Sequence, residues 1–549
     1  MELNNKKILF GLTVVLLLLA ELNVNAQTKY WVKFTDKAGS PYSISNPGAF
    51  LTPKSVSRRI TQNISIDMTD IPVNQSYINQ VNATGAVVFQ CSKWFNAAIV
   101  IIANSSQLTA VNSLSCVLSA APVNRYHATQ PDVINAPTQQ VSRSSSAAVT
   151  GYNYGPSVTQ VNQMNLECMH NMGFRGQNMT IAVIDDGFSN ADMNPVFDSL
   201  RNEGRILGTR DIVAGNTAVY EDDSHGAMVL SCMAGNSPGN LIGTAPKANY
   251  YLFRSEDVAS EKIIEENNWV VAAELADSLG VDIITTSLGY TTFDIPSQNH
   301  TYADLNGKTS VASIAATMAA RKGIFLLNAA GNEGTNSWHY VGVPADADSI
   351  CTVGSVNGSG LHSGFSSVGP TADGRIKPDV STMGEGTYVC QPSGAFTSGN
   401  GTSFACPVMA GAVACLWQAN PGKTNMQVLA AIRNASTRYN TPDNNYGWGI
   451  PNMCLASTYL NAMPTSISEI HKAVLKVFPN PAKDYIAFNT DQKVQSVMLT
   501  DVLGNTIECA FTAQGNSYKA VFTNTVAGGV YFLTITTDQG AVQSKFIKE

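Results

Sequence analysis

Residues 180–187 read TIAVIDDG, an apolar run that ends in two carboxylates and a glycine. A short continuous apolar run is typical of a strand that is buried on both faces of a parallel sheet. Similar runs recur with helical patterns between them, at residues 250–253, 281–286, 324–328 and 350–353. This alternation predicts a doubly wound α/β domain with a parallel sheet over residues 151–462.

Two smaller domains are expected on either side. Residues 27–123 follow the order β-α-β-β-α-β and predict a small α+β domain. Residues 124–150 are polar and rich in Ser, Ala and Thr, which is a linker composition open to proteolysis. Residues 466–549 hold short strands separated by turn residues such as Gly504-Asn505, and they predict a small β-sandwich.

The amino terminus has the three parts of a secretory signal peptide. Lys6-Lys7 precede the apolar run Ile8 to Ala20, and the small residue Ala26 closes the segment, which predicts a cleaved signal peptide over residues 1–26. An uncleaved membrane anchor is the alternative. No later run reaches the length of a spanning helix, so we expect a secreted or cell-surface protein with no stable membrane span in its mature form.

Charge and cysteine usage exclude several functions. The net charge is −7 without a block of Lys or Arg, which argues against nucleic-acid binding. The 10 cysteines contain no C-x-x-C pair, so neither a zinc ribbon nor a thioredoxin motif is available. Seven of them lie in the central domain, which leaves at least one unpaired there. Cys406 and Cys415 fall in an apolar helical pattern and are expected to be buried thiols.

Asp185 and His225 are the first two candidates for chemistry. Asp185 ends an apolar strand, where sites of open parallel sheets collect, although a turn carboxylate is the plain alternative. His225 opens a helical stretch beside a glycine, so one ring nitrogen is available as a base while a carboxylate holds the other. The alternative is a structural histidine.

Ser403 and Asn332 are the other two candidates. Ser403 follows Gly401-Thr402 at the start of a helical stretch, where free N–H groups favour an oxyanion, and the alternative is a serine N-cap. Pro407 is expected in the first turn of that helix, which runs on over residues 408–419. Asn332 lies on a glycine-flanked turn after a strand, from which its amide can donate to the same oxyanion.

The order Asp, His, Ser is one of the orders in which a catalytic triad occurs along a chain, that of subtilisin. Several sequence blocks then resemble the subtilase family, in the family's order: residues 183–187, 225–229, 243–246, 287–289, 331–332 and 401–405. The resemblance implies a serine endopeptidase with Ser403 as nucleophile, His225 as general base and acid, and Asp185 holding the imidazole. Asn332 and the backbone N–H of Ser403 would form the oxyanion hole.

The resemblance also implies how substrates bind. Ser287, Leu288 and Gly289 would form the exposed strand on which an extended peptide or protein substrate adds, together with Ala330 and Gly331. No cofactor or metal is implied for catalysis. Structural calcium stays open, since no carboxylate cluster with calcium-loop spacing is visible.

Three positions depart from the family's pattern. Asp186 stands where most relatives have Ser or Thr, and Ala227 replaces the usual Thr after His-Gly. Val408-Met409 replaces the His-Val that often follows the proline. These positions concern packing more than chemistry, but they leave a second interpretation, that of a catalytically inactive relative that acts as a secreted binding module.

The flanking domains resemble known companions of such enzymes. Residues 27–123 resemble the subtilase propeptide, which assists folding and blocks the cleft, so the chain's own propeptide is an expected partner and the linker would hold the maturation cut. Residues 466–549 resemble the sorting domain of type IX secretion, which implies that secretion machinery as a partner. A generic adhesive β-sandwich is the alternative.

A G-x-S-x-G string at residues 235–239 suggests a lipase or esterase with Ser237 as nucleophile. That motif requires a strand before the serine and a helix after it. Here a helical run precedes it and Pro238-Gly239 follow, so the string predicts a turn.

Overall fold

A computed structural model of the chain describes residues 27–126, 151–221, 223–463, 477–490, 494–501, 506–507, 509–522, 526–537 and 540–549. Contacts divide the chain into two compact units, Met1–Met463 and Pro464–Glu549. The predicted signal peptide and most of the predicted linker lie outside the described residues.

The amino-terminal part is a four-stranded antiparallel sheet with helices. Its strands are β1 (Gln27–Phe34), β2 (Val87–Ser92), β3 (Ala97–Ile102) and β4 (Val117–Tyr126), and its helices are α1 (Pro53–Thr61), α2 (Gln75–Ala83) and α3 (Ser105–Asn112). The strands lie in the order β2-β3-β1-β4. The predicted α+β fold is correct, but helix α2 was not predicted. Its only buried residue is Val81, so no apolar periodicity reveals it.

The central domain is built on a seven-stranded parallel sheet. Its strands are β5 (Thr180–Asp185), β6 (Ile206–Asp211), β9 (Asn249–Arg254), β10 (Ile283–Thr286), β11 (Phe325–Ala329), β12 (Cys351–Val356) and β13 (Val380–Met383), and they lie in the order β13-β12-β11-β10-β5-β9-β6. The remaining strands form two hairpins, β7 (Asn236–Ser237) with β8 (Leu241–Ile242) and β14 (Glu385–Cys390) with β15 (Phe396–Asn400).

Helices cover both faces of this sheet. They are α4 (Val158–Asn162), α5 (Glu167–Asn171), α6 (Asp198–Asn202), α7 (His225–Ala234), α8 (Ile264–Leu279), α9 (Val311–Arg321), α10 (Thr402–Ala419), α11 (Asn425–Asn434) and α12 (Met453–Ala462). Short 3₁₀ helices occur at Pro47–Ala49, Gly155–Ser157, Pro195–Phe197, Pro296–Gln298 and Tyr302–Asp304. Along β5, Ile181 and Val183 join one core cluster, and Ala182 and Ile184 join the other. The predicted doubly wound architecture is therefore confirmed.

Helix α10 begins earlier than predicted. It starts at Thr402, so Pro407 lies inside the helix and not in its first turn. The helix is buried along most of its length. It is also the one helix among the described residues that is long and apolar enough to cross a membrane by length and composition alone.

The carboxy-terminal unit is a β-sandwich, as predicted. One sheet has the order β16-β17-β21-β20 and the other β19-β18-β22-β23. The strands are β16 (Val477–Phe478), β17 (Tyr485–Asn489), β18 (Val494–Asp501), β19 (Thr506–Ile507), β20 (Cys509–Gln514), β21 (Ser517–Phe522), β22 (Gly529–Thr537) and β23 (Gly540–Lys548). The two sheets share a core that includes Phe488, Leu533 and Phe546.

The described cysteines include the free thiols that the sequence predicts and one disulfide that it does not assign. Cys406 and Cys415 are buried free thiols, as their apolar surroundings predicted. Cys168 and Cys454 form a disulfide that joins the start of the central domain to its last helix.

Candidate active site

The site lies at the carboxyl edge of the parallel sheet. Strands β5, β10 and β11 are neighbours in register, and they end at Asp185, Thr286 and Ala329. The chain segments that follow these strands therefore meet at one edge, where open α/β sheets bind ligands.

Asp185 and His225 are in direct contact. His225 opens helix α7, and its Nδ1 lies 2.7 Å from Oδ1 of Asp185, which is fully buried. The backbone N–H of Asp186 donates to the same oxygen at 3.0 Å. A carboxylate on Nδ1 fixes the ring so that Nε2 is the nitrogen left for chemistry.

Asp186 points to a different partner. Its Oδ1 accepts the backbone N–H of Gly226 at 3.2 Å, so the two adjacent carboxylates have different partners. Burial and the neighbouring charge of Asp185 raise the pKa of Asp186 to about 8. Burial alone would lower the pKa of His225, but the charge of Asp185 and its hydrogen bond outweigh it and raise that pKa above the ordinary value.

Ser403 is the second residue of helix α10 and is 8% exposed. Gly401 precedes the helix, and a Cβ at position 401 would lie 2.7 Å from Oγ of Ser403, so a side chain there would press on the hydroxyl. The ring of Phe404 lies 6.0 Å from the imidazole of His225. In the described part of the chain, no hydrogen bond joins Ser403 to His225, as is common in enzymes without bound substrate.

Asn332 is oriented by Thr402, a residue that sequence reasoning did not single out. Oδ1 of Asn332 accepts the backbone N–H of Thr402 at 2.9 Å and its hydroxyl at 3.0 Å. The amide Nδ2 therefore points away from Thr402, and it lies 3.7 Å from the position of a Cβ on Gly401. Asn332 Nδ2 and Ser403 Oγ thus border the same space.

A cleft of about 630 Å³ opens from this point. Of the predicted substrate-binding residues, those that line it are Ser287, Leu288, Gly289 and Gly331. Ala330 does not, because its side chain is fully buried and its N–H donates to the carbonyl of Val353.

A second part of the cleft lining is acidic, and it was not predicted. It includes Glu256, Asp257, Glu261 and Glu265, which follow strand β9. A signal was present, because these carboxylates come directly after an apolar strand of a parallel sheet.

The sequence string around Ser237 does not form a nucleophile elbow. Helix α7 precedes it, and Ser237 lies in the short strand β7, which pairs with β8. The strand-to-helix turn that the esterase motif requires is therefore not found at this place.

Three side chains of the site bring possible metal-donor atoms close together. Asp185, Asp186 and His225 are the only group of histidine, cysteine and carboxylate residues in the described ranges with three donor atoms within 4.8 Å of one another. The hydrogen bonds already assigned to them account for this closeness.

Comparison with known proteins adds three family matches. The subtilase family matches residues 176–449, a peptidase S8 propeptide domain of Bacteroidota matches residues 29–140, and a secretion system C-terminal sorting domain matches residues 476–549.

Individual relatives agree with these matches. Subtilisin NAT of Bacillus subtilis subsp. natto is 31% identical over 311 residues, which is 56% of this chain and 73% of the relative. Subtilisin E of Bacillus subtilis (strain 168) is 30% identical over the same shares of the two chains. Subtilisin of Bacillus pumilus is 30% identical over 301 residues, 54% of this chain and 97% of the relative.

Proposed function

The chain belongs to the subtilase family and is a serine endopeptidase, and we propose that it hydrolyses peptide bonds through Ser403, His225 and Asp185 by way of an acyl-enzyme. The observation that carries this proposal is the 2.7 Å contact between Asp185 and Nδ1 of His225 at the sheet edge where helix α10 presents Ser403.

Each residue has a defined task in this proposal. Ser403 Oγ attacks the scissile carbonyl while Nε2 of His225 takes its proton, and His225 then returns that proton to the leaving amine. Asp185 keeps the ring in the required orientation and stabilises the imidazolium. Water repeats the sequence and releases the acyl group.

Asn332 and the backbone N–H of Ser403 stabilise the oxyanion in this proposal. The support is the orientation of the Asn332 amide, whose carbonyl oxygen is held by both donors of Thr402. A donor held in place before the reaction requires no reorganisation as charge develops, which is how such groups lower the barrier.

Residues 287–289 bind the substrate backbone in this proposal. Gly289 has no neighbouring heavy atom closer than 3.9 Å to the position of a Cβ, so an incoming strand meets no side chain there. An extended peptide that pairs with this segment gains main-chain hydrogen bonds, and the walls of the cleft then select its side chains.

The propeptide domain packs against the enzyme domain in this precursor. Trp31, Trp94 and Ile99 share a core cluster with Val270 of helix α8. Fully buried Asp277 of α8 pairs with three cations of the propeptide domain, Arg58, Arg59 and Lys93. We propose that this contact keeps the enzyme as an inactive precursor until the segment after β4 is cut.

The sorting domain makes this a secreted or cell-surface protease. We propose that a signal peptide over residues 1–26 starts its export and that the type IX machinery reads residues 466–549. Removal of the carboxy-terminal unit should leave the protease inside the cell envelope, which fractionation of the producing cells would show.

Ser403→Ala tests the catalytic proposal. The variant should fold and should not cleave peptides, and if maturation is autocatalytic it should accumulate as the uncut precursor. Ser237→Ala is the matched control and should keep both activity and processing. Peptide hydrolysis by purified Ser403→Ala at the wild-type rate would refute the proposal.

A further inference from the structure

The cleft that His225 and Asn332 line is also lined by many carboxylates. They are Asp186, Glu256, Asp257, Glu261, Glu265, Asp294 and Glu333. No lysine or arginine of the described ranges lines it. A cleft with walls of one charge sign concentrates the field inside it and attracts ligands of the opposite sign.

Glu256 is the buried carboxylate of this wall that has an oxygen without a donor among the described residues. It is only 8% exposed, and its Oε1 accepts the hydroxyls of Ser255 at 2.5 Å and Tyr290 at 2.8 Å. No described residue donates to its Oε2. Glu256 therefore borders the cleft with one oxygen that lacks a donor, although nine-tenths of the residue is shielded from water.

Glu265 beside it differs, because both its oxygens are held by backbone. Oε1 accepts the N–H of Asp257 at 3.0 Å, and Oε2 accepts the N–H of Lys262 at 2.9 Å. Glu265 thus shapes the wall, while Glu256 is left to receive a donor from the cleft.

A cation that entered the cleft would stabilise the ionised forms of Glu256 and Glu265. Burial raises the pKa of Glu256 to about 8 and, together with the charge of Glu256, the pKa of Glu265 to about 9. Both carboxylates therefore lack a counter-charge in their shielded surroundings. A positive side chain that entered the cleft would favour their ionised form and would be held by a charge-assisted hydrogen bond.

One cation of the precursor already interacts electrostatically with Asp257 of this wall. Burial lowers the pKa of Lys29 in the propeptide domain to about 8, while the charges of Asp257 and Asp211 partly offset that effect. The ammonium lies 4.2 Å from the ring centre of Phe89. Removal of the propeptide would take this charge from Asp257 and leave the wall more negative.

We propose that the protease selects substrates with a lysine or arginine side chain near the scissile bond, and that Glu256 is the carboxylate that receives it. This inference rests on the proposed catalytic function, and it names the substrate class of the same cleft.

The test uses the processed enzyme and matched peptides. In each series, one position on the acyl side of the scissile bond carries Lys, Met or Glu. These side chains are similar in length and differ in charge. At one of these positions kcat/KM should be about tenfold higher for Lys than for Met, and Glu should be the poorest of the three. Equal values for Lys and Met at every position would overturn the inference.

Two variants then identify the receiving group. Glu256→Gln should bring the Lys/Met ratio at that position to about twofold or less, since the amide keeps the shape and removes the charge. Asp294→Asn is the matched control in the same cleft, because this carboxylate is exposed to solvent and its charge is screened, and it should keep the ratio. A full Lys/Met ratio in Glu256→Gln would overturn the assignment to Glu256.

The two proposals fail in different ways. If the peptides are hydrolysed without any charge preference, the catalytic proposal stands and the selectivity inference is wrong. If no peptide is hydrolysed and Ser403 does not react with a serine-directed reagent, both are wrong.

Discussion

The hydroxyl of Ser287 donates a 2.9 Å hydrogen bond to the backbone carbonyl of Ser403. In an unbroken helix that carbonyl would accept the N–H of residue 407, but residue 407 is a proline and has none. A residue of the predicted substrate-binding strand thus satisfies the carbonyl of the proposed nucleophile. The contact joins the two segments that must be aligned for catalysis.

Ser287→Ala should therefore destabilise the enzyme. The partly buried carbonyl of Ser403 would lose its donor, at a cost of about 1–3 kcal/mol in the free energy of unfolding. Chemical denaturation in the inactive Ser403→Ala background measures this without self-digestion. Adding Pro407→Ala restores a helical N–H and should recover most of the loss. No loss in the single variant would contradict this account of the contact.

Asn332→Ala should lower kcat by about 100- to 1000-fold with little change in KM, because an oxyanion donor acts mainly in the transition state. Thr402→Val should cause a smaller loss, since the backbone N–H of Thr402 still holds Asn332 Oδ1. Steady-state kinetics on one peptide checks both. If Asn332→Ala changed KM and left kcat intact, Asn332 would be a ground-state binding residue.

The acid limb of the pH profile should respond to Asp223. The negative charge of this carboxylate favours the imidazolium of His225 and raises the pKa of that ring, which must be neutral to act as a base. Asp223→Asn removes the charge and keeps an oxygen that can accept the N–H of Ser224, so the pKa of His225 should fall and activity should persist to lower pH. The profile of kcat/KM against pH measures the midpoint. An unchanged or higher midpoint would contradict the assigned interaction.

Asp277 should matter to the precursor more than an exposed pair does. Lys93, Arg58 and Arg59 hold the pKa of this buried carboxyl below its usual range despite the opposing effect of burial. Asp277→Asn would leave Arg58 and Lys93 without their paired carboxylate, while Arg59 keeps its pair with Asp70, and it should cost about 3–5 kcal/mol of precursor stability.

The matched control is Lys54→Met, which removes a partly exposed pair with Asp282 between the same two domains and should cost about 1 kcal/mol or less. Unfolding of both precursors in the Ser403→Ala background compares them. Equal costs for the two variants would mean that the buried cluster contributes no more than the exposed pair.

The sequence predicted the strands of the parallel sheet best where a strand is buried on both faces and has neighbours on both edges. All five predicted strands of the parallel sheet are its interior strands, whose apolar runs are continuous. The two that were missed, β6 and β13, are its edges. Strand β6 is largely half-buried, and β13 reads VSTM, with two polar residues in its middle, so neither shows such a run.

From the sequence, the residues of the site could be predicted only as separate motifs. The strand-end position of Asp185 and the helix-start position of His225 are local features, and the structure brings these two side chains together. Thr402 and Glu256 depend on contacts between distant segments, such as Thr402 with Asn332 and Glu256 with Tyr290. No local pattern encodes those contacts, so the positions of these side chains in the site became visible only in the folded chain.

Labelling with a fluorophosphonate, followed by peptide mapping of the processed enzyme, tests the central claim most directly. The account predicts covalent modification of Ser403, and a much slower reaction in His225→Ala because the hydroxyl then lacks its base. Modification at Ser237, or none at Ser403 in an enzyme that still cleaves peptides, would contradict it.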